Sequence, residues 1–271
     1  MRKILLFIIS VLVIIVILTS VNIYFMDKVY PRRLIEAIDN NDMEEFTKIL
    51  EKNGNIDNRP FLWGVDRVNY PPLHYACSEG KLDYVIKLVD VGADLNNKKS
   101  TNNKTPLMCA LAYNNNEQKF EIVKYLVEHG ADINIKDYNE TALAWVLYSN
   151  GKRDQIKKEQ EFEIVKYLIE HGGNIENASA IGHFVFDVSR KNNELILQYL
   201  IEEKKIDINL IDETTGNTCL IYAAKHGAND TVRYLLGKGA SVEIRNKENK
   251  SAYDLAVENE YFEIAEILKK N

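Results

Sequence analysis

Two segments of this chain nearly copy each other: FEIVKYLVEHGADIN from Phe120 and FEIVKYLIEHGGNIE from Phe162. Related text recurs as LDYVIKLVDVGADLN from Leu82 and TVRYLLGKGASVEI from Thr231. Upstream of these runs a second signature: PPLHYACSEG from Pro71, TPLMCALAYN from Thr105, TALAWVLYSN from Thr141 and TCLIYAAKHG from Thr218. Self-similarity at this period means that each unit is one supersecondary element whose apolar face is buried only by its neighbours. Ile122, Val123, Leu126 and Val127 fall on one face of a helix. Gly92, Gly130, Gly172 and Gly239 follow such helices, where a left-handed exit is needed. Thr105, Thr141 and Thr218 precede the next helix as hydroxyl caps. Ala76, Ala110 and Ala223 supply small contacts where two helices approach closely.

These residues closely resemble the ankyrin repeat family, with its 33-residue period and T-P-L-H-x-A opening. The leading position falls at Leu73, Leu107, Leu143, Val185, Leu220 and Tyr253, at intervals of 34, 36, 42, 35 and 33. An initial, half-matching unit starts at Arg33. The resemblance implies an all-α solenoid of helix-turn-helix units with β-hairpin-like loops, about seven units over residues 33–271. Asn103, Asn139 and Asn249 stand at hairpin positions where family members usually carry glycine. Asparagine tolerates the left-handed conformation better than most residues.

Residues 4–25 read ILLFIISVLVIIVILTSVNIYF, without a charge. A helix of that length rises about 33 Å, against roughly 30 Å of hydrocarbon core. The expectation is one N-terminal transmembrane helix acting as a signal anchor, behind a short basic start at 1–3 and ahead of a linker at 26–32. The rival reading is a signal peptide cleaved near Ser20, although no Ala-x-Ala site follows the run. The basic N-terminus inclines the expected topology to a single-pass protein with its repeats on the non-cytoplasmic side.

Composition excludes more than it assigns. Forty acidic against 34 basic residues give a net charge of −6, which argues against a nucleic-acid partner. Cys77, Cys109 and Cys219 are far apart and form neither a zinc nor a disulfide pattern. His129 and His171 recur at one register, but neighbouring helices are about 8–10 Å apart and zinc–nitrogen bonds only about 2.0–2.1 Å. His74 matches the family's structural histidine. No nucleophile elbow, P-loop, zincin or dinucleotide fingerprint is present. The expectation is therefore no enzyme, no metal, no cofactor and no small-molecule substrate.

What the resemblance implies instead is a protein-interaction scaffold. Its partner, of unstated identity and near the membrane if the anchor is uncleaved, would contact hairpin tips and first-helix ends along a concave face. The alternative is an exported protein of the same fold, acting as an effector or as the dedicated inhibitor of one partner. Carried onto this sequence, the first-helix positions are Ser78 and Glu79, Ala112 and Tyr113, Tyr148 and Ser149, Arg190 and Lys191, Lys225 and His226, and Glu258 and Asn259. Tyr113 and Tyr148 are the aromatic hot-spot candidates among them. Asn102, Lys104, Tyr138 and Glu140 lead the hairpin candidates. Two insertions, 114–119 and 151–160, read either as binding loops or as solvated ones, and the aromatics of 58–70 as a cover for the core.

Overall fold

The computed structural model describes residues 2–24, 30–52, 55–58, 70–100, 103–113, 118–148, 155–176 and 184–270. The chain forms two compact units, Met1–Asp132 and Ile133–Asn271.

In the first unit α1 (Arg2–Tyr24) precedes three helix pairs: α2 (Tyr30–Asp39) with α3 (Met43–Leu50), α4 (Pro72–Glu79) with α5 (Leu82–Asp90), and α6 (Pro106–Tyr113) with α7 (Lys119–Glu128). First helices pack on one another, α2 on α4 and α4 on α6, while α5 packs on α7. Alternating long and small side chains allow this: Leu34, Ile38, Leu73 and Leu107 fill the interior, and Ala76, Cys77 and Ala110 let the helices close on each other. Each large aliphatic side chain so buried contributes about 1.5–3 kcal/mol. Phe46 of α3 meets Tyr84 of α5 edge-to-face, centroids 4.8 Å apart, which adds about 0.5–1.5 kcal/mol. Tyr30 is buried and opens α2.

The N-terminal segment requires a correction. Among the described residues, no helix is long and apolar enough to cross a membrane. Ser10, Thr19 and Ser20 are polar residues within the apolar run of α1. Thr19 and Ser20 there turn their hydroxyls back to the Val16 carbonyl, at 2.9 and 2.7 Å. The expected transmembrane helix over 4–25 is not supported, nor is single-pass membrane localisation with the repeats on the non-cytoplasmic side.

The second unit carries α8 (Ala142–Trp145), continued by the tight turn Val146–Tyr148, then α9 (Gln155–Glu170) and α10 (Phe184–Arg190). After them come α11 (Glu194–Gln198), widening into a π-turn at Tyr199–Glu203, α12 (Cys219–Lys225), α13 (Asn229–Gly237), α14 (Ala252–Glu258) and α15 (Phe262–Lys269). Again the first helices form one row, α8, α10, α12 and α14, and the second helices α9, α11, α13 and α15 another. The later insertion is less of a loop than its composition suggests. Residues 155–160 are the opening turns of α9, and Lys158, 9% exposed, reaches Glu194 at 2.8 Å and Asp230 at 3.4 Å. One lysine thus ties α9 to α11 and α13.

Local signals mostly behave as their chemistry dictates. Gly92, Gly130, Gly172 and Gly239 all have φ between +84° and +99°. In the α11 unit Lys205 takes that left-handed place, φ +59°. Thr105 and Thr218 accept the N–H groups of Met108 and Ile221; Thr141 is extended at its cap position without a side-chain cap bond. Asn103 and Asn249 are left-handed, whereas Asn139 is not. There the turn is closed by Asp137 Oδ1, which accepts the N–H groups of Asn139 at 3.1 Å and Glu140 at 3.0 Å.

A hydrogen-bond ladder that the repeated GADLN and GADIN text encodes joins successive turns within each unit. Asp57 Oδ1 accepts the Asp94 N–H at 3.0 Å and Asn96 Oδ1 accepts that of Asp132 at 2.8 Å. In the second unit Asn134 and Asn209 accept from Asn174 and Ser241, at 2.8 and 2.9 Å. Short polar side chains take these bonds because they reach only local backbone groups.

Candidate partner-binding surface

The hairpin turns are anchored from below by buried polar groups. His74 is fully buried, and its Nε2–H donates to the carbonyls of Asn97 at 2.9 Å and Lys104 at 3.0 Å. The Ser100 hydroxyl donates to the same Lys104 carbonyl at 2.9 Å. Lys104, read from sequence as a hairpin-tip contact, is only 2% exposed: its backbone is where the turn is fastened. His129 and His171 each donate Nδ1–H to the carbonyl four residues earlier, at 2.7 and 2.8 Å, and lie against Tyr125 and Tyr167. They close helix ends. Among the described residues no group of three or more His, Cys, Asp or Glu is placed to hold a metal ion.

In the second unit Asp137 Oδ2 also accepts the Trp145 indole N–H, at 3.0 Å. With that bond the turn 137–140 is clamped from two sides, and Tyr138 projects from its tip, 68% exposed. Glu140 is half-buried, with its carbonyl accepting from Asp137 N–H. The sequence places Tyr138 in the hairpin but does not show the clamp: an Asp eight residues before a Trp is an ordinary pairing until the turn folds.

The turn ahead of α12 is held by Asp212. Its Oδ2 accepts from the hydroxyls of Thr215 and Tyr222, both at 2.5 Å. Burial pushes its pKa up, but those hydroxyls and the N–H groups of Thr214 and Thr215 together hold it below the usual value. Gly216, at φ +77°, is required here: a Cβ would lie 2.7 Å from the Lys247 nitrogen, so the adjoining turn approaches too closely for any side chain.

Four side chains stand at the C-terminal ends of two first helices. Arg190 and Lys191 end α10; Lys225 and His226, both exposed, end α12. Burial lowers the His226 pKa first, and the nearby charges of Arg190, Lys225 and Lys191 lower it further. The matching pair on α14 is different: Glu258 is engaged by Lys250 at 2.6 Å, and the Asn259 amide returns to the Leu255 carbonyl. On α4, Ser78 is buried and donates to the Tyr75 carbonyl, and Ala112 of α6 is buried. The side chains of Tyr113 and Tyr148 lie outside the described residues, as do Asn102, Ser149, His183, residues 114–117 and 151–154, and Phe61 and Trp63.

Paired helices, left-handed exits and clamped turns repeated in register define a helical repeat protein, a class whose turns and helix ends present an extended surface. The comparisons give the class a family. The family model described as "Ankyrin repeats (3 copies)" matches residues 34–137, 73–179 and 184–271, and the chain belongs to the ankyrin repeat family. It is 24% identical over 208 residues to human transient receptor potential cation channel subfamily A member 1, covering 74% of this chain and 14% of that protein. It is 41% identical over 64 residues to the rat ankyrin repeat and SAM domain-containing protein 6, covering 24% of this chain and 7% of the relative. The chain thus spans a small part of the curated relatives it matches. Among solved structures it is similar to a chain in a predatory endopeptidase from Bdellovibrio bacteriovorus in complex with an immunity protein. That match has a TM-score of 0.58 and 27% identity, and covers 73% of this chain and 97% of the other.

Proposed function

We propose that this chain is a scaffold that binds one partner protein through the turn tips and first-helix ends of its repeats, seven units over residues 33–271. The observation that carries this reading is the second unit's division of labour. Asp137 and Asp212 clamp their turns internally, while Tyr138, Lys225 and His226 are left at the surface. An exposed tyrosine on a clamped turn buries much area at modest entropy cost, and an exposed cation such as Lys225 helps to steer a partner. Glu140 and Tyr148 belong to the proposed surface of the second unit; in the first unit Tyr113 and Asn102 are the proposed contacts, with Lys104 fastening its turn.

The test is site-specific photocrosslinking in the cell of origin. A photoreactive phenylalanine at 138 or 225 is expected to capture one discrete protein, and the same group at Glu266 on α15 none. Equal capture from all three positions, or capture from 266 alone, refutes the assignment.

A second reading, the dedicated inhibitor of an enzyme, is favoured by the likeness to a chain of an endopeptidase–immunity protein complex. If the captured partner is an enzyme, stoichiometric addition of this chain then abolishes its turnover. Full turnover at saturation leaves the scaffold reading alone standing.

A further inference from the structure

Four large apolar side chains gather on α14, α15 and the turn between them, and all are left in solvent. Tyr253 and Val257 are each 40% exposed, Tyr261 38% and Phe262 63%. Tyr253 and Val257 hold the leading register and the one four residues on. The same two registers are buried at Leu73 and Cys77, at Val185 and Ser189, and at Leu220 and Ala224. There a further first helix packs on the row: α6 on α4, α12 on α10 and α14 on α12. The second helices show the same contrast. Phe162 and Phe262 each open a run that starts FEI. The Phe162 ring meets Tyr199 edge-to-face, centroids 5.8 Å apart, whereas Phe262 stands in water without a ring partner among the described residues.

Where a repeat stack faces only water, its outer face is polar. Helix α2 follows that rule, with Arg32 and Glu36 paired at 2.8 Å on its exposed side. The face of α14 and α15 breaks it, and a contiguous apolar patch inside a polar rim marks an interaction site. The patch is also held in place: the Tyr261 ring lies on Gly227, where a Cβ would come within 2.6 Å of it. Beside Tyr253 an open groove runs between Val242 and Leu268.

Three observations point to a second copy of this chain as the occupant. The rim carries both signs already matched, Arg245 with Asp254 at 2.9 Å, Lys250 with Glu258 at 2.6 Å and Arg233 with Glu263 at 3.0 Å. Such a rim neither recruits a charged partner nor repels an identical face, although the whole chain carries a net −6. The patch holds three unshielded rings, so each copy brings the aromatic partners that the other lacks. The charged outer side of α2 offers nothing apolar for a head-to-tail union, which leaves like face against like face, the isologous arrangement of a two-fold dimer.

We propose that this face joins two copies of the chain about a two-fold axis, with Tyr253, Val257, Tyr261 and Phe262 of each copy covering those of the other. The inference goes beyond the scaffold reading and uses a different surface. An enclosed aromatic side chain removes roughly 150–250 Å² from water, so at these exposures each copy has about 300 Å² of apolar area to cover. With its rim the interface stays below about 1,200 Å² in total, the range of weak and transient pairs. A dissociation constant of roughly 10–100 µM is expected.

The test uses the full chain. Sedimentation equilibrium over about 5–500 µM is expected to show a reversible monomer–dimer equilibrium. A photoreactive phenylalanine at 262, in a mixture of isotope-labelled and unlabelled chains, is expected to join position 262 of one copy to residues 253–262 of the other. Val257→Glu with Phe262→Glu is expected to raise the dissociation constant by about tenfold or more while the melting temperature holds; Phe262→Ser takes its place if the double variant does not fold. A chain that stays monomeric throughout, or association that the folded variants leave unchanged, overturns the proposal. Crosslinks from 262 to α2 of the other copy overturn the two-fold arrangement. At the dilution of the cellular capture from positions 138, 225 and 266 a pair this weak is little populated, so that test and this one fail separately.

Discussion

Replacing Lys158 by methionine keeps the aliphatic stem that packs along α9 and removes the charge that joins three second helices. The contact to Glu194 is 2.8 Å long, between side chains 11% and 29% exposed; that to Asp230 is 3.4 Å, with Asp230 56% exposed. An exposed pair contributes about 0.2–1 kcal/mol, while stripping one partner from a buried pair costs about 3–5 kcal/mol. The Glu194 arm lies between these limits and the Asp230 arm near the lower one, so Lys158→Met is expected to cost about 2 kcal/mol. Repeat proteins open locally, so the loss will fall on the helices the lysine joins. Amide hydrogen exchange in α9 and α11 should accelerate about thirtyfold, the equivalent of 2 kcal/mol, with α15 little changed. A double-mutant cycle with Glu194→Gln should give a coupling of about 1–2 kcal/mol. Additive variants, or protection in α9 and α11 within threefold of wild type, would show that the lysine is a solvated side chain after all.

Two further outcomes follow from the buried groups. Tyr222→Phe removes a hydroxyl that donates to Asp212 at 2.5 Å and is expected to cost about 1–2 kcal/mol. Because Asp212 is held below its ordinary pKa, its contribution to stability is present above the unfolded value near 3.8 and is lost as pH falls through the folded value. The variant should therefore unfold in acid at a higher pH than wild type, and coincident acid transitions by circular dichroism would count against the clamp. Burial pushes the Cys109 and Cys219 thiols up to about 12, and Cys77 well above its usual value. With so little thiolate, the native chain should resist an aromatic disulfide reagent at pH 8 and release three equivalents only in denaturant. Rapid stoichiometric labelling of the folded chain would contradict the burial of these residues.

The repeat was legible because its signals are local. A glycine two residues past a helix, a threonine before the next and an alanine at the close contact each specify conformation within a few residues of themselves. Gly92, Gly130, Gly172 and Gly239 take the exits assigned to them, and Asn103 and Asn249 the left-handed hairpin places. Asn139 does not, because Asp137 closes that turn by a different set of bonds. The apolar composition of residues 4–25 suggested a membrane span, but among the described residues no helix is long and apolar enough to cross a membrane.

The sequence by itself therefore determined the repeating unit, its period, its caps and the positions that turns and helix ends would occupy. Only the tertiary structure decided which polar side chains those positions would bury. Lys158 is placed by Asp230, 72 residues away, and the Lys104 carbonyl by His74, 30 residues away. Asp187 was one more acid in a chain with forty until packing enclosed it. Burial belongs to the neighbours that a folded repeat recruits, and a charge within a helix carries no local mark of whether it will face them or water.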